Sequence, residues 1–111
     1  MVYDQEAYHT QQIEMQYREV MQKADRLEAL ANKLSRKAAN ETRNLSDDIR
    51  RQWEGEEAEV FLRKSSLVES EISQTVKGIR DCADVIRQMA RQMMEAEMEA
   101  ARAVPKEEIE G

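Results

Sequence analysis

Trp53-Glu54-Gly55 constrains this chain more than any other feature, because nearly everything around it carries helical periodicity. It holds the only Trp, and the only Gly between Met1 and Lys77, near the middle of 111 residues. The segments on either side are long and amphipathic, and the first Pro is Pro105. A bulky aromatic beside a Gly between two helices predicts a tight hairpin with the ring closing the turn. Gly55 would then supply a backbone conformation, or a close contact, that a Cβ would block.

From Ile13 a three-four alternation runs through Tyr17, Val20, Ala24, Leu27, Ala31, Leu34, Ala38, Glu41 and Leu45. Only Glu41 breaks its apolar character. A spacing averaging about 3.5 residues is the seam of a coiled coil. One heptad position carries Ile13, Val20, Leu27 and Leu34, and the other carries Ala24, Ala31 and Ala38. Small residues at every seventh position let a neighbouring helix approach closely.

The second segment repeats the pattern. Phe61, Val68, Thr75, Cys82, Met89 and Ala96 share one heptad position, and Ala58, Ser65, Ile72, Ile79, Ile86, Met93 and Ala100 share the other. Leu62, Val76, Ala83 and Ala90 widen the stripe, as a helix touching more than one neighbour requires. Gly78 weakens this helix by about 1 kcal/mol relative to Ala, which suggests close packing at that point.

A single continuous helix in a long coiled coil is the rival architecture, and charge placement opposes it. Arg50 and Arg51 precede the motif, while Glu54, Glu56, Glu57 and Glu59 lie within or after it. Cations favour helix C-termini and anions favour N-termini, so the reversal marks one helix ending and another starting. The expected organisation is a polar, flexible lead over 1–8 and a single all-α hairpin domain over 9–104. That domain comprises a first helix at about 9–51, a turn at 52–55 and a second helix at about 56–104, followed by a flexible tail over 105–111. Each arm of about 40 residues would span about 60 Å.

Composition narrows the function classes. A chain of this length, 41% hydrophobic and 36% charged with three Gly and one Pro, fits one helical domain. Two helices alone make little core, so oligomerisation is expected to complete the burial. A net charge of −6 opposes a phosphate-binding face and hence nucleic acid. The N-terminus lacks the basic and apolar regions of a cleavable signal, and no stretch approaches the roughly 20 apolar residues of a membrane span. One His (His9) and one Cys (Cys82) assemble neither a zinc site nor a nucleophile–base pair. No enzyme, metal or cofactor is expected, and Cys82 reads as a small apolar seam residue.

The run Trp53-Glu54-Gly55-Glu56-Glu57-Ala58-Glu59-Val60-Phe61 resembles the signature of the WXG superfamily, the small ESAT-like helical hairpins of bacterial type VII secretion. That signature is Trp-x-Gly, a small residue three positions after the Gly, here Ala58, and an aromatic three later, here Phe61. With the mid-chain motif and flanking helices, the resemblance covers about residues 10 to 104. It implies hairpins that dimerise antiparallel into a four-helix bundle, are recognised by a membrane-bound secretion ATPase, and leave the cell folded without a cleaved signal. The seam residues Val20, Ala24, Leu27, Ala31, Leu34 and Ala38, with Val68, Ile72, Ile79 and Ile86, would form the hairpin and dimer contacts. The leftover stripe of the second helix and the alanines of the first would bury the dimer contact.

The family's usual export signal, a Tyr with an acid four positions later after the second helix, is absent, since Tyr3, Tyr8 and Tyr17 all lie near the N-terminus. A looser form is met by Met93, Glu97, Ala100 and Val104. The expected function is a non-enzymatic type VII substrate or escort, synthesised in the cytoplasm and secreted. It would pair with itself, with a sister hairpin or with the helical N-terminal domain of a larger toxin. A purely cytosolic coiled-coil scaffold is the alternative from another class.

Two further groups stand out. Met89, Met93, Met94 and Met98 are either bundle core near a helix end or a flexible surface that accepts varied partners. Arg36, Lys37, Arg43, Arg50 and Arg51, with Arg63 and Lys64 opposite, either balance nearby acids or meet an acidic partner or lipid headgroups.

Overall fold

The reversal of charge around the Trp-Glu-Gly motif does end one helix and begin another. The computed structural model describes residues 2–103, with α1 spanning Val2–Gln52 and α2 spanning Glu56–Arg102. Arg50 and Arg51 occupy the last turn of α1, and Glu56, Glu57 and Glu59 occupy the first turn of α2. Each set complements the partial charge at its helix end. The described residues contain no strand, and the fold is an all-α helical hairpin.

Three residues make the connection. The Trp53 amide donates to the Ile49 carbonyl at 2.8 Å, closing α1, and the Gly55 carbonyl accepts from the Glu59 amide at 3.2 Å, opening α2. Between these bonds the chain reverses at Gly55, whose φ is +98°. A Cβ there would meet nothing within 4 Å. The position therefore needs glycine for its backbone conformation, which L side chains rarely adopt, and not for a close contact.

The first boundary differs from expectation. Residues 2–8, read as a flexible lead, are helical from Val2. The stretch is polar but contains neither Gly nor Pro, and its Gln, Glu and Ala are good helix formers. The proposed tail over 105–111 and Val104 lie outside the described residues.

The described residues group into two compact units: a turn unit over 27–82, and an end unit combining residues 2–26 with 83–103. In the end unit Ala24, Ala83 and Ala90 are buried, flanked by half-buried Ile13, Tyr17, Val20, Ile86, Met94 and Met98. In the turn unit Ala31, Ala58 and Val76 are buried, with Leu27, Leu62, Ile72 and Ile79 half-buried. Ala24, Ala31 and Ala83 are 0% exposed, whereas among the described residues no large side chain is fully buried. Two helices alone can cover an alanine but not a leucine, so large apolar side chains remain partly in solvent.

Within the turn unit the buried line of α1 departs from the heptad positions read from the sequence. After Ala31 it continues through Ser35, Ala38, Thr42, Ser46 and Ile49, while Leu34, Glu41 and Leu45 are exposed. A straight α-helix has about 3.6 residues per turn and drifts about 20° per heptad from a 3.5-residue repeat. Here the helix follows its own pitch, and the expected seam rotates out of the contact.

Candidate interaction surface

That rotation gives the turn unit two unlike faces. At about 100° per residue, Leu30, Leu34 and Leu45 lie to one side of α1's buried line, and Arg43 and Asp47 to the other. On α2, Val60, Leu67 and Val68 lie to one side of the buried line, with Ser66, Glu69 and Ser73 on the other. An open groove of about 490 Å³ is lined by Arg43, Ser46, Asp47, Ser66, Glu69 and Ser73, among others, and so marks one broad face. The exposed leucines and valines mark the opposite face.

The groove face is polar and internally balanced. Arg50, which also lines it, sits 3.7 Å from Asp47, and the Thr42 hydroxyl donates to the Ala38 carbonyl at 2.7 Å. Arg51 sits 3.4 Å from Asp48. Part of the basic cluster is thus paired with acids one turn away.

The apolar face is open. Leu67 is 65% exposed and Leu30 58%, with Leu34, Leu45, Val60, Phe61 and Val68 also exposed. Exposed apolar side chains grouped on one face mark a contact surface, whereas scattered ones do not. Lys64 and Glu71 fall on the same side of α2, one heptad apart and flanking Leu67 and Val68.

Several expected sites are relocated. Ala58 is buried, whereas Trp53, whose ring is expected to close the turn, is 53% exposed, and Phe61 is only partly covered. Ala24 and Ala31 are used entirely within the hairpin and are unavailable to the dimer contact expected of them; Ala38 is half-buried. Leu34 and Val68 are exposed, while Val20, Leu27, Ile72, Ile79 and Ile86 are half-buried. Cys82, placed on the seam by its heptad position, is exposed. Gly78 is no point of close packing, since a Cβ there would meet nothing within 4 Å.

The end unit divides its methionines. Met94 and Met98 are half-buried against the hairpin, while Met89 and Met93 face outward. Glu97 and Ala100, the further described members of the loose export pattern, are exposed beside Met93, so these three side chains are accessible. Tyr8 and His9 make an edge contact with ring centroids 6.0 Å apart.

Polar contacts across the hairpin are features that periodicity did not indicate. In the turn unit Arg80 Nη2 donates to Asn32 Oδ1 at 2.7 Å, and in the end unit Arg87 Nη2 donates to Asp25 Oδ1 at 2.8 Å. Their only sequence signal is a cation close to the apolar stripe of α2. Among the described residues no cluster of His, Cys, Asp and Glu could hold a metal ion, and no helix is long and apolar enough to cross a membrane. No family model, curated protein or solved structure matches the chain.

Proposed function

We propose that this chain is a non-enzymatic packing module of bacterial type VII secretion, a substrate or escort that works by seating the apolar face of its turn unit on a second helical hairpin. The observation that carries the reading is this face itself: leucines of α1 and valines and Leu67 of α2 exposed together, in the unit that contains the Trp-Glu-Gly turn. The hydrogen-bonded reversal at Gly55, with Ala58 buried one turn later, supports the likeness to the Trp-x-Gly hairpins. The exposed Met93, Glu97 and Ala100 leave that pattern open to a secretion ATPase.

A second copy of the chain is the first partner. Around a two-fold axis between Leu67 and Val68, antiparallel α2 helices would set Lys64 of each copy opposite Glu71 of the other. The same face would then supply both the apolar contact and its charge pairs. A sister hairpin, or the helical N-terminal domain of a toxin, would occupy the same face if the chain is an escort.

Export is the test of the secretion reading. The chain is expressed at native level in its own host, and the medium is compared with and without the type VII ATPase. ATPase-dependent appearance in the medium, without a lysis marker, is the expected result. Retention in the cytosol, even with neighbouring genes co-expressed, would overturn the secretion reading and favour a cytosolic scaffold.

A further inference from the structure

The outward-facing methionines form an exposed strip of the end unit. Val85, Met89 and Met93 follow one another at intervals of four residues, and Ala96 and Ala100 continue the line. Met89 is 56% exposed and Met93 60% exposed, while Ala83 and Ala90, in the same stretch of α2, are buried. The methionines are therefore not hairpin core. Long side chains beside two alanines shape a shallow, uneven strip, and unbranched thioethers can adapt to whatever lies on it.

Charge indicates what would lie there. Glu95, Glu97 and Glu99 crowd the final turns of α2, and Glu97 stands one turn beyond Met93. None of the three makes an ion pair with a described residue, and all are exposed. The nearby Arg87 is already held by Asp25 and Asp84. We propose that the Val85–Met89–Met93 strip docks a basic amphipathic helix, whose apolar side chains lie on the methionines and alanines and whose Lys or Arg residues meet Glu97 and Glu99. Helix-in-groove docking on an adaptable methionine surface, steered by opposite charge, is a general recognition mode. The strip shares Met93, Glu97 and Ala100 with the loose export pattern, but the inference rests on their exposure and charge and not on export.

The experiment uses the full chain and a fluorescently labelled synthetic amphipathic helix of leucine and lysine, with a scrambled peptide of identical composition as control. Anisotropy titration is expected to show saturable one-to-one binding of the amphipathic peptide, at least about tenfold tighter than the scrambled one. Met89→Ser with Met93→Ser, and separately Glu95→Gln with Glu97→Gln and Glu99→Gln, are each expected to weaken binding about tenfold, equivalent to about 1.4 kcal/mol. Circular dichroism checks that each variant keeps its helix content. Leu67→Glu, which alters only the turn unit's face, leaves peptide binding unchanged. Equal affinity for the scrambled peptide, no binding, or binding indifferent to both sets of substitutions would overturn the proposal. So would loss of self-association in the methionine variant, because that face would then belong to a second copy.

Discussion

Arg87 of α2 reaches across the hairpin to Asp25 of α1, with Nη2 2.8 Å from Oδ1, while its Nη1 lies 3.0 Å from Asp84 one turn away. Its side chain is only 16% exposed, although Asp25 remains largely in solvent. The aliphatic stem therefore covers apolar surface between the helices, and the guanidinium is held at the edge by carboxylates. Arg87→Ala removes both contributions and is expected to lower unfolding free energy by about 1–3 kcal/mol. Asp25→Asn removes only a solvent-screened attraction and should cost less than about 1 kcal/mol. Urea unfolding of the two variants measures this order, and an equal loss in both would show that charge, not packing, dominates.

The two glycines of the described chain should respond to alanine with opposite signs. Gly55 has φ +98°, so Gly55→Ala strains the turn and is expected to destabilise by about 1–2 kcal/mol. Gly78 lies within α2, and a methyl group added there would have no neighbour within 4 Å. Gly78→Ala is therefore expected to stabilise by up to about 1 kcal/mol. Thermal unfolding followed by circular dichroism reads both shifts, and a destabilised Gly78→Ala would reveal a packed neighbour at that site.

Alanine at the closest helix contacts sets how far apart the helices can sit. Ala31→Leu places a larger side chain where no surface is exposed and is expected to cost about 1–3 kcal/mol by overpacking. Leu34→Ala, three residues on but exposed, should change hairpin stability by less than about 1 kcal/mol. Denaturation well below the association range separates the two, and a larger loss for Leu34→Ala would contradict the buried line of α1 running through Ala31 and Ser35.

Much of the fold was legible because it rests on local signals. Arg50 and Arg51 before the turn and the glutamates after it mark two helix ends, and Gly55 marks the reversal. Heptad spacing located the buried Ala24 and Ala31. It failed at Leu34 and Leu45 because a repeat read as 3.5 residues overlooks the drift of a straight helix at 3.6. The same ambiguity placed Cys82 on the seam: adjacent heptad positions are equally apolar in α2, and only the partner's position decides which face is covered. Residues 2–8 were misread because polarity says where a segment faces, not whether it is helical. The Arg87–Asp25 contact joins residues 62 apart, and no periodicity within one helix reports such a pair.

Self-association through the turn unit's face is the most direct measurement. Sedimentation equilibrium of the full chain is expected to give a dimer, twice the 12.9 kDa of one copy. Lys64→Glu alone should shift the population toward monomer, and adding Glu71→Lys should restore the dimer, because the pair across the two-fold axis is then re-formed in reversed sign. Leu67→Glu should give a monomer that keeps its helix content. A wild-type monomer throughout the micromolar range, or a dimer indifferent to Leu67→Glu and to the charge reversals, would contradict the account.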